Sequence, residues 1–110
     1  MTQSNVEHCS ACEGEVDLLN EQVIQKKLTE LDGWHYDQEA RRLTRTVTFK
    51  GFNKTMSFVN AIAWIANVEK HHPDMEVSFN QCIIHFQTHA AGGVTENDFI
   101  CARKVDALLK

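Results

Sequence analysis

The sequence has no long apolar run and no large basic cluster, and these absences exclude several classes of protein. No window approaches about 18 apolar residues, which argues against a transmembrane helix. Residues 1–7 have neither a basic start nor an apolar centre, so we expect no signal peptide. The net charge is −4 and basic residues are at most paired, as at Arg41-Arg42. The chain therefore has no cluster of positive charge that would bind nucleic-acid phosphates. We therefore expect a cytoplasmic protein that contacts neither nucleic acid nor membrane directly.

Proline and glycine are also scarce, with one proline and five glycines in 110 residues. This composition is unlike that of disordered chains, and 43% hydrophobic with 24% charged residues is typical of a globular protein. A chain of this length forms one small domain, for which oligomerisation is a natural source of further stability. The prediction is a flexible polar tail over residues 1–19 and a single domain over residues 20–110.

The four cysteines stand in a chain without an export signal, so we expect reduced thiols and no disulfides. Cys82 and Cys101 fall inside apolar patterns and are expected in the core. Cys9 and Cys12 form a C-x-x-C motif in the tail. Such a motif can be half of a zinc site or a redox pair, but neither a second half nor a βαβ setting is visible. The favoured interpretation is a mobile tail that carries two thiols.

Hydrophobic periodicity predicts three helices and four strands. Asn20, either Asn53 or Thr55, and Thr95 are the expected helix caps. Arg45 falls on the apolar side of its strand, so we place it near an edge of the sheet. The predicted helices cover about residues 20–31, 52–70 and 95–109, and the predicted strands cover about residues 34–37, 43–49, 75–79 and 82–87.

The register of the second hairpin follows if its turn has two residues at Asn80-Gln81. Phe79 then faces Cys82, and one face of the hairpin is entirely apolar. Extended further, this register brings His72 opposite His89 on the polar face. The elements together predict an α+β fold of order α-β-β-α-β-β-α, with a four-stranded antiparallel sheet and three helices packed on one face.

Histidines mark the candidate site, since His71-His72-Pro73 stands where the long helix stops. Pro73 biases His72 away from helical backbone, so the two rings should leave in different directions. Imidazole titrates near neutrality, so two histidines on opposite sides of a substrate can donate one proton and accept another. We predict no metal, because adjacent extended side chains point apart and no carboxylate stands at a ligand spacing. Surface histidines in a loop are the alternative.

From about Leu31 to Leu109 the chain resembles the pterin-4a-carbinolamine dehydratase family. The resemblance is carried by a spaced motif that begins with His71-His72-Pro73. Phe79 follows after five residues, His89 after a further nine and Asp98 after a further eight. The earlier runs Leu31-Asp32-Gly33-Trp34 and Phe49-Lys50-Gly51-Phe52 also fit, and the C-x-x-C tail is similar to that of bacterial members.

The resemblance implies dehydration of 4a-hydroxytetrahydropterin to quinonoid dihydropterin and water, which recycles the cofactor of aromatic amino acid hydroxylases. The pterin is the substrate, and no further cofactor is implied. Carried over by position, His71 and His89 are the acid-base pair, and His72 orients the pterin. Asp98 matches a family position and is therefore a candidate for substrate binding, although helix capping explains it equally well. Trp34 is a candidate for the pocket wall, with an ordinary core role favoured.

One departure from the family stands one helical turn before His71. Many members carry an acidic residue there, whereas this chain has Asn67, which can form hydrogen bonds at the site but supplies no charge. The nearby acid, Glu69, is expected on another side of the helix. We therefore expect weaker dehydration than in relatives that carry the acid.

The family also suggests partners and alternative functions. It implies a homodimer or tetramer, and an aromatic amino acid hydroxylase is a possible partner. The alternatives are a non-catalytic coactivator, as in animal members that stabilise dimers of a homeodomain transcription factor, and a pterin-binding accessory of molybdenum-cofactor metabolism. The complete set of His71, His72 and His89 favours the enzyme, since a scaffold does not need it.

Overall fold

The computed structural model describes residues 7–10 and 17–110. The order of elements along the described chain is α-β-β-α-β-β-α, as the sequence predicted. The helices are α1 (Glu21–Leu28), α2 (Phe52–Glu69) and α3 (Glu96–Ala107), the strands are β1 (Trp34–Asp37), β2 (Arg42–Thr48), β3 (Asp74–Val77) and β4 (Gln81–Phe86), and a short 3-10 helix covers His89–Ala91.

The four strands form one antiparallel sheet in the order β1-β2-β4-β3. The two hairpins therefore meet at the central pair β2 and β4, and α2 connects them along the chain. The three helices cover one face of the sheet, which confirms the predicted α+β class. The core between the layers is formed by apolar residues that alternate along the strands or recur at helical spacing: Ile24, Leu43, Val47, Phe58, Ile62, Cys82, Ile84, Phe86, Phe99 and Val105.

The first helix begins where the sequence predicted and ends earlier. Asn20 caps α1, because its side-chain oxygen accepts a hydrogen bond from the Val23 N–H at 2.9 Å. The helix ends at Leu28 because tighter i to i+3 hydrogen bonds replace the α-helical ones in the following residues. Across the described part of the chain, no helix combines the length and the apolar character needed to cross a lipid bilayer.

The long helix α2 starts after Gly51, and no side chain caps it, so the predicted caps Asn53 and Thr55 are wrong. Thr55 lies buried in the first turn, where its hydroxyl donates to the carbonyls of Gly51 and Phe79. Phe79 belongs to the turn between β3 and β4. The hydroxyl therefore ties the start of α2 to that turn.

Arg45 is not near a sheet edge, which corrects the prediction. It lies on β2, a central strand, where its Cα partners are Trp34 and Ile84. Its guanidinium forms an ion pair with Asp106 of α3, and the Trp34 indole N–H donates to the same carboxylate oxygen at 2.7 Å. A charged residue is tolerated on the apolar face because the covering helix supplies its counter-ion.

The register of the second hairpin differs from the predicted one by two residues. Val77 pairs with Cys82, and the Ser78 N–H donates to the Gln81 carbonyl at 2.9 Å, so the turn is centred on Phe79 and Asn80. The predicted pairing of Phe79 with Cys82 is therefore wrong. Side chains alternate with a period of two, so a shift of two leaves the apolar face unchanged. This parity explains why the fold was predicted correctly despite the wrong register.

Residues 7–10 lie against α2 and α3. The Cys9 N–H donates to the Glu69 carboxylate at 2.7 Å, and His8 Nδ1 lies 2.7 Å from its other oxygen. The backbone of Ser10 exchanges two hydrogen bonds of 2.9 Å with the side chain of Asn97. These contacts hold the described part of the predicted tail to the domain, while the domain boundary at residue 20 stays a prediction.

Both thiols predicted in the core, Cys82 and Cys101, are fully buried. Cys9 Sγ lies 3.5 Å from Cys101 Sγ, so one cysteine of the C-x-x-C motif meets a core thiol. The hydrogen bond with Cys9 and burial raise the pKa of the Cys101 thiol. Cys12 lies outside the described residues, so a zinc or redox role for the motif stays open.

Candidate active site

The candidate site begins at the C-terminal end of α2. Lys70 adopts left-handed backbone with φ of 54°, and the N–H groups of Lys70 and His71 both donate to the Ala66 carbonyl. The chain then leaves the helix axis and enters β3 directly after Pro73. As a result the two histidines separate, with His71 buried and His72 exposed.

His71 is held on two sides inside the protein. Its Nε2 lies 2.6 Å from Asp98 Oδ1, and its ring stacks on Phe86 with the ring centroids 6.0 Å apart and the planes at 7°. The His71 side chain is 5% exposed and that of Asp98 is fully buried. A buried carboxylate that accepts a hydrogen bond from an imidazole fixes the orientation of the ring.

Asp98 caps α3, as the sequence suggested, and its two carboxylate oxygens have different partners. Oδ1 faces His71, whereas Oδ2 accepts the Thr95 N–H at 2.9 Å and the Thr88 hydroxyl at 2.8 Å. With Thr95 it forms the capping box of α3, where the helix dipole favours a negative charge. Asp98 lies behind His71 and does not line the cavity, so it supports the site without forming its wall.

Although position 67 carries no acid, His71 has a carboxylate beside it. Asp98 supplies the carboxylate from α3, a helix that a sequence spacing on α2 could not reveal. Asn67 is exposed on α2 and is not among the residues that line the cavity, and its hydrogen bonding to a substrate stays a prediction. Glu69 lies on another side of α2, as predicted, where it contacts His8 and Cys9.

A cavity of about 220 Å³ opens at the junction of α2, β3 and the 3-10 helix. Gln87 forms part of its wall, and the Gln87 side-chain amide donates to the carbonyls of Ala40 and Arg41 in the turn between β1 and β2. The three predicted histidines all line this one cavity. Its lining residues are Lys70, His71, His72, Pro73, Asp74, Gln87, His89 and Ala90.

The route that brings the histidines together is not the predicted one. β4 ends at Phe86, and His89 starts a 3-10 helix that is closed by a bridge between Thr88 and Gly93. His72 and His89 are therefore not opposite each other in a strand pair. They meet because the loop after β4 turns back over the end of α2.

Trp34 is a core residue and does not line the cavity, which corrects its place among the substrate-binding candidates. Sequence reasoning also missed Asp74 and Gln87, which lie in the wall, and Thr88, which lies behind it. Asp74 follows Pro73, and Gln87 stands two residues before His89. Their closeness to the histidine motif is the signal that could have identified them.

A larger cavity of about 420 Å³ lies on the outer side of α2 and α3. Trp64, Val68 and Leu108 are exposed there, with Trp64 67% exposed. Glu69 and Lys104 lie at its polar end. Burial opposes ionisation of Glu69, but hydrogen bonds from residues 8 and 9 and the charge of Lys104 together lower its pKa. Within residues 7–10 and 17–110, no three His, Cys, Asp or Glu side chains are arranged to hold a metal ion.

Comparison with known proteins agrees with the fold and identifies the family. The family model of pterin 4 alpha carbinolamine dehydratase matches residues 17–108. A relative from Legionella pneumophila, provisionally named a pterin-4-alpha-carbinolamine dehydratase, is 52% identical over 103 residues, covering 93% of this chain and 91% of the relative. A Nitrosomonas eutropha relative with the same provisional name is 49% identical over 102 residues, covering 92% and 88%.

Solved structures give the same result. The crystal structure of a transcriptional coactivator/pterin dehydratase from Brucella melitensis matches with a TM-score of 0.82 and 32% identity, covering 86% of this chain and all of the other. A pterin dehydratase-like protein described as a RuBisCO assembly factor matches with a TM-score of 0.60 and 22% identity, over 69% of this chain and 88% of its own, and shares the fold. The chain belongs to the pterin 4 alpha carbinolamine dehydratase family.

Proposed function

We propose that the protein dehydrates a 4a-hydroxytetrahydropterin to the quinonoid dihydropterin and water by histidine acid-base catalysis. In this reaction N5 loses a proton while the C4a hydroxyl takes up a proton and leaves as water, so one base and one acid are sufficient. The observation that carries the proposal is a buried His71 paired with Asp98, in one cavity with His72 and His89. Family membership supports the same reaction.

His71 is the proposed base. A carboxylate can only accept hydrogen bonds, so the hydrogen between the two side chains belongs to His71 Nε2, and in the neutral ring the lone pair is on Nδ1. When Nδ1 takes the N5 proton, the imidazolium that forms lies 2.6 Å from Asp98 Oδ1. The carboxylate therefore stabilises the charge at the moment it develops.

His89 is the proposed acid and His72 the residue that orients the pterin. His89 is exposed, so after it protonates the leaving hydroxyl it can recover a proton from water. Each proton transfer by a positioned side chain contributes about 10²- to 10⁴-fold to the rate. We further propose that the quinonoid product, once a separate two-electron reduction has returned it to tetrahydropterin, serves an aromatic amino acid hydroxylase in the cytoplasm, a role that rests on the family alone.

Stopped-flow absorbance of enzymatically generated 4a-hydroxytetrahydropterin tests the proposal. The wild-type protein should accelerate its disappearance, and His71→Ala and His89→Ala should each lower the rate about 10²-fold or more. Asn67→Ala is the matched control, since Asn67 is exposed and outside the cavity. A wild-type rate equal to that of buffer would falsify the enzymatic function.

We also propose that the protein is a homo-oligomer, as the sequence resemblance implied. The exposed side chains of Trp64 and Val68 on α2 and of Leu108 directly after α3 support this, because large apolar side chains gathered on one surface are typical of protein contacts. Light scattering coupled to size exclusion should give more than one chain per particle, and Trp64→Ser should lower the mass. A monomer at working concentration would contradict this.

A further inference from the structure

Thr88 lies between the groups that hold the two proposed catalytic histidines in place. Its side chain is fully buried, and it immediately precedes His89 in the chain. We propose that Thr88 is a positioning residue that fixes His71 and His89 relative to each other, an inference that rests on the proposed function. Two sets of contacts carry it, one from the hydroxyl and one from the backbone.

The hydroxyl of Thr88 belongs to a directed chain of hydrogen bonds. It donates to Asp98 Oδ2 at 2.8 Å, and since it has a single hydrogen, its 2.7 Å contact with Thr95 Oγ1 must be one in which Thr95 donates. Thr95 Oγ1 in turn accepts the Asn97 N–H at 3.2 Å. The chain therefore runs from the α3 backbone to Asp98 Oδ2 and leaves Oδ1 to face His71.

The backbone of Thr88 builds the turn that carries His89. Its carbonyl accepts hydrogen bonds from the N–H groups of Ala91, Gly92 and Gly93, and its own N–H donates to the Gly93 carbonyl at 2.8 Å. Gly92 closes the 3-10 helix with φ of 78°, a conformation that glycine adopts without strain. The position of Thr88 thus sets where His89 enters the cavity.

One residue therefore links both imidazoles through short contacts. On one side the path is Thr88 to Asp98 to His71, and on the other side it is the peptide bond to His89. If the hydroxyl is lost, Asp98 Oδ2 loses a donor and Thr95 loses an acceptor in a site that water does not reach. The Thr95 N–H is then the donor that remains at Oδ2, so the carboxylate is less firmly fixed and the hydrogen bond that sets the His71 ring is weakened.

Thr88→Val and Thr88→Ser test the inference, because valine keeps the shape and serine keeps the hydroxyl. We expect Thr88→Val to lower kcat about 10-fold or more with a smaller change in KM, as a charged hydrogen bond is lost, and Thr88→Ser to recover most of the rate. Nitrogen-15 NMR of the His71 ring provides a readout independent of activity. Wild type and Thr88→Ser should show the Nε2–H tautomer, and Thr88→Val should show a mixture.

Thr46→Val is the matched control, since Thr46 is exposed on β2 and should leave both readouts unchanged. Should Thr88→Val fail to fold, Thr88→Ala removes the same hydroxyl without adding a methyl group and must show the same effects. An active wild type with an unchanged kcat and His71 tautomer in the hydroxyl-free variant overturns the inference. An inactive wild type overturns the proposed function instead, and the tautomer measurement then still decides whether Thr88 orients His71.

Discussion

His71 and Asp98 are 27 residues apart in the chain, yet His71 Nε2 and Asp98 Oδ1 lie 2.6 Å apart in the buried interior. This pair joins the end of α2 to the start of α3, so the residue that caps one helix also orients the histidine that ends another. Helix capping and catalytic support are therefore properties of a single carboxylate. Substitutions there should affect stability and activity through different oxygens.

Asp98→Asn separates these two effects. The amide keeps an oxygen that can serve as the cap but carries no charge, so the protein should fold while the proposed dehydration slows about 10- to 100-fold. Asp98→Ala should lower the dehydration rate and should also lower the unfolding free energy by about 1 kcal/mol or more, because the cap is lost. Urea titration and stopped-flow rates measure the two quantities. Equal rates in Asp98→Asn and wild type would show that the negative charge of Asp98 does not contribute to the dehydration rate.

Asn67→Glu should leave the dehydration rate within about twofold of wild type, because the substitution lies on an exposed face of α2 and Asp98 already supplies the acid. The measurement is kcat/KM over the pH range of activity. A clear gain in rate would mean that position 67 acts on His71 in spite of its distance from the cavity wall.

Glu69 should make stability depend on pH. Its pKa is lowered in the folded protein, so the carboxylate contributes stability above its ordinary value of 4.5, and this contribution is lost as the pH falls through the folded pKa. Glu69→Gln should therefore be less stable than wild type at pH 7, and the difference should shrink on acidification toward pH 3. Denaturant titrations at several pH values measure this, and a difference that does not vary with pH would contradict it.

Lys70→Gly should raise the unfolding free energy by about 0.5 to 1 kcal/mol, because Lys70 holds a left-handed conformation that glycine adopts without strain. Ala63→Gly is the control within the same helix, since Ala63 is exposed in regular helix. This substitution should lower the unfolding free energy by about 1 kcal/mol. Thermal and urea unfolding measure both. Destabilisation by Lys70→Gly would indicate that contacts of the Lys70 side chain stabilise the folded protein by more than its left-handed backbone destabilises it.

Cys9 and Cys101 should form a disulfide when the protein is treated with hydrogen peroxide. Peroxide oxidises the half-buried Cys9 thiol to a sulfenic acid, and Cys101, 3.5 Å away, displaces water from it to form the bond. The product is two hydrogens lighter and should yield a cross-linked peptide pair on proteolysis. Cys101→Ser should abolish it and Cys12→Ser should not, whereas a cross-link only between Cys9 and Cys12 would contradict the contact.

Sequence patterns predicted the class of fold because helix and strand periods are local properties. Trp34–Asp37, the span of α2 and the capping box at Thr95 all depend on neighbours within a few residues. The hairpin register was wrong because Asn80-Gln81 and Phe79-Asn80 are both acceptable turns, and alternation alone does not distinguish them.

Long-range partners could not be predicted in the same way. Asp98 beside His71 and Asp106 beside Arg45 both depend on where α3 lies on the sheet, which no spacing within one element reveals. The histidines were selected correctly for the cavity wall, but through a strand pairing that does not form. Contacts made across layers of the fold are therefore the part that only the structure supplies.

All the side chains that line the cavity or orient its histidines lie between Lys70 and Asp98, whereas the sheet is completed by pairing β2 with β4. The first hairpin reaches the cavity wall through the Gln87 amide, and Trp34 packs on Phe86 behind the His71 ring. The side chains proposed for the chemistry thus lie in the second half of the chain, whereas the first hairpin contributes mainly to the stability of the sheet. A library of substitutions over residues 34–48 should yield variants with a wide range of melting temperatures and one shared pH-rate profile.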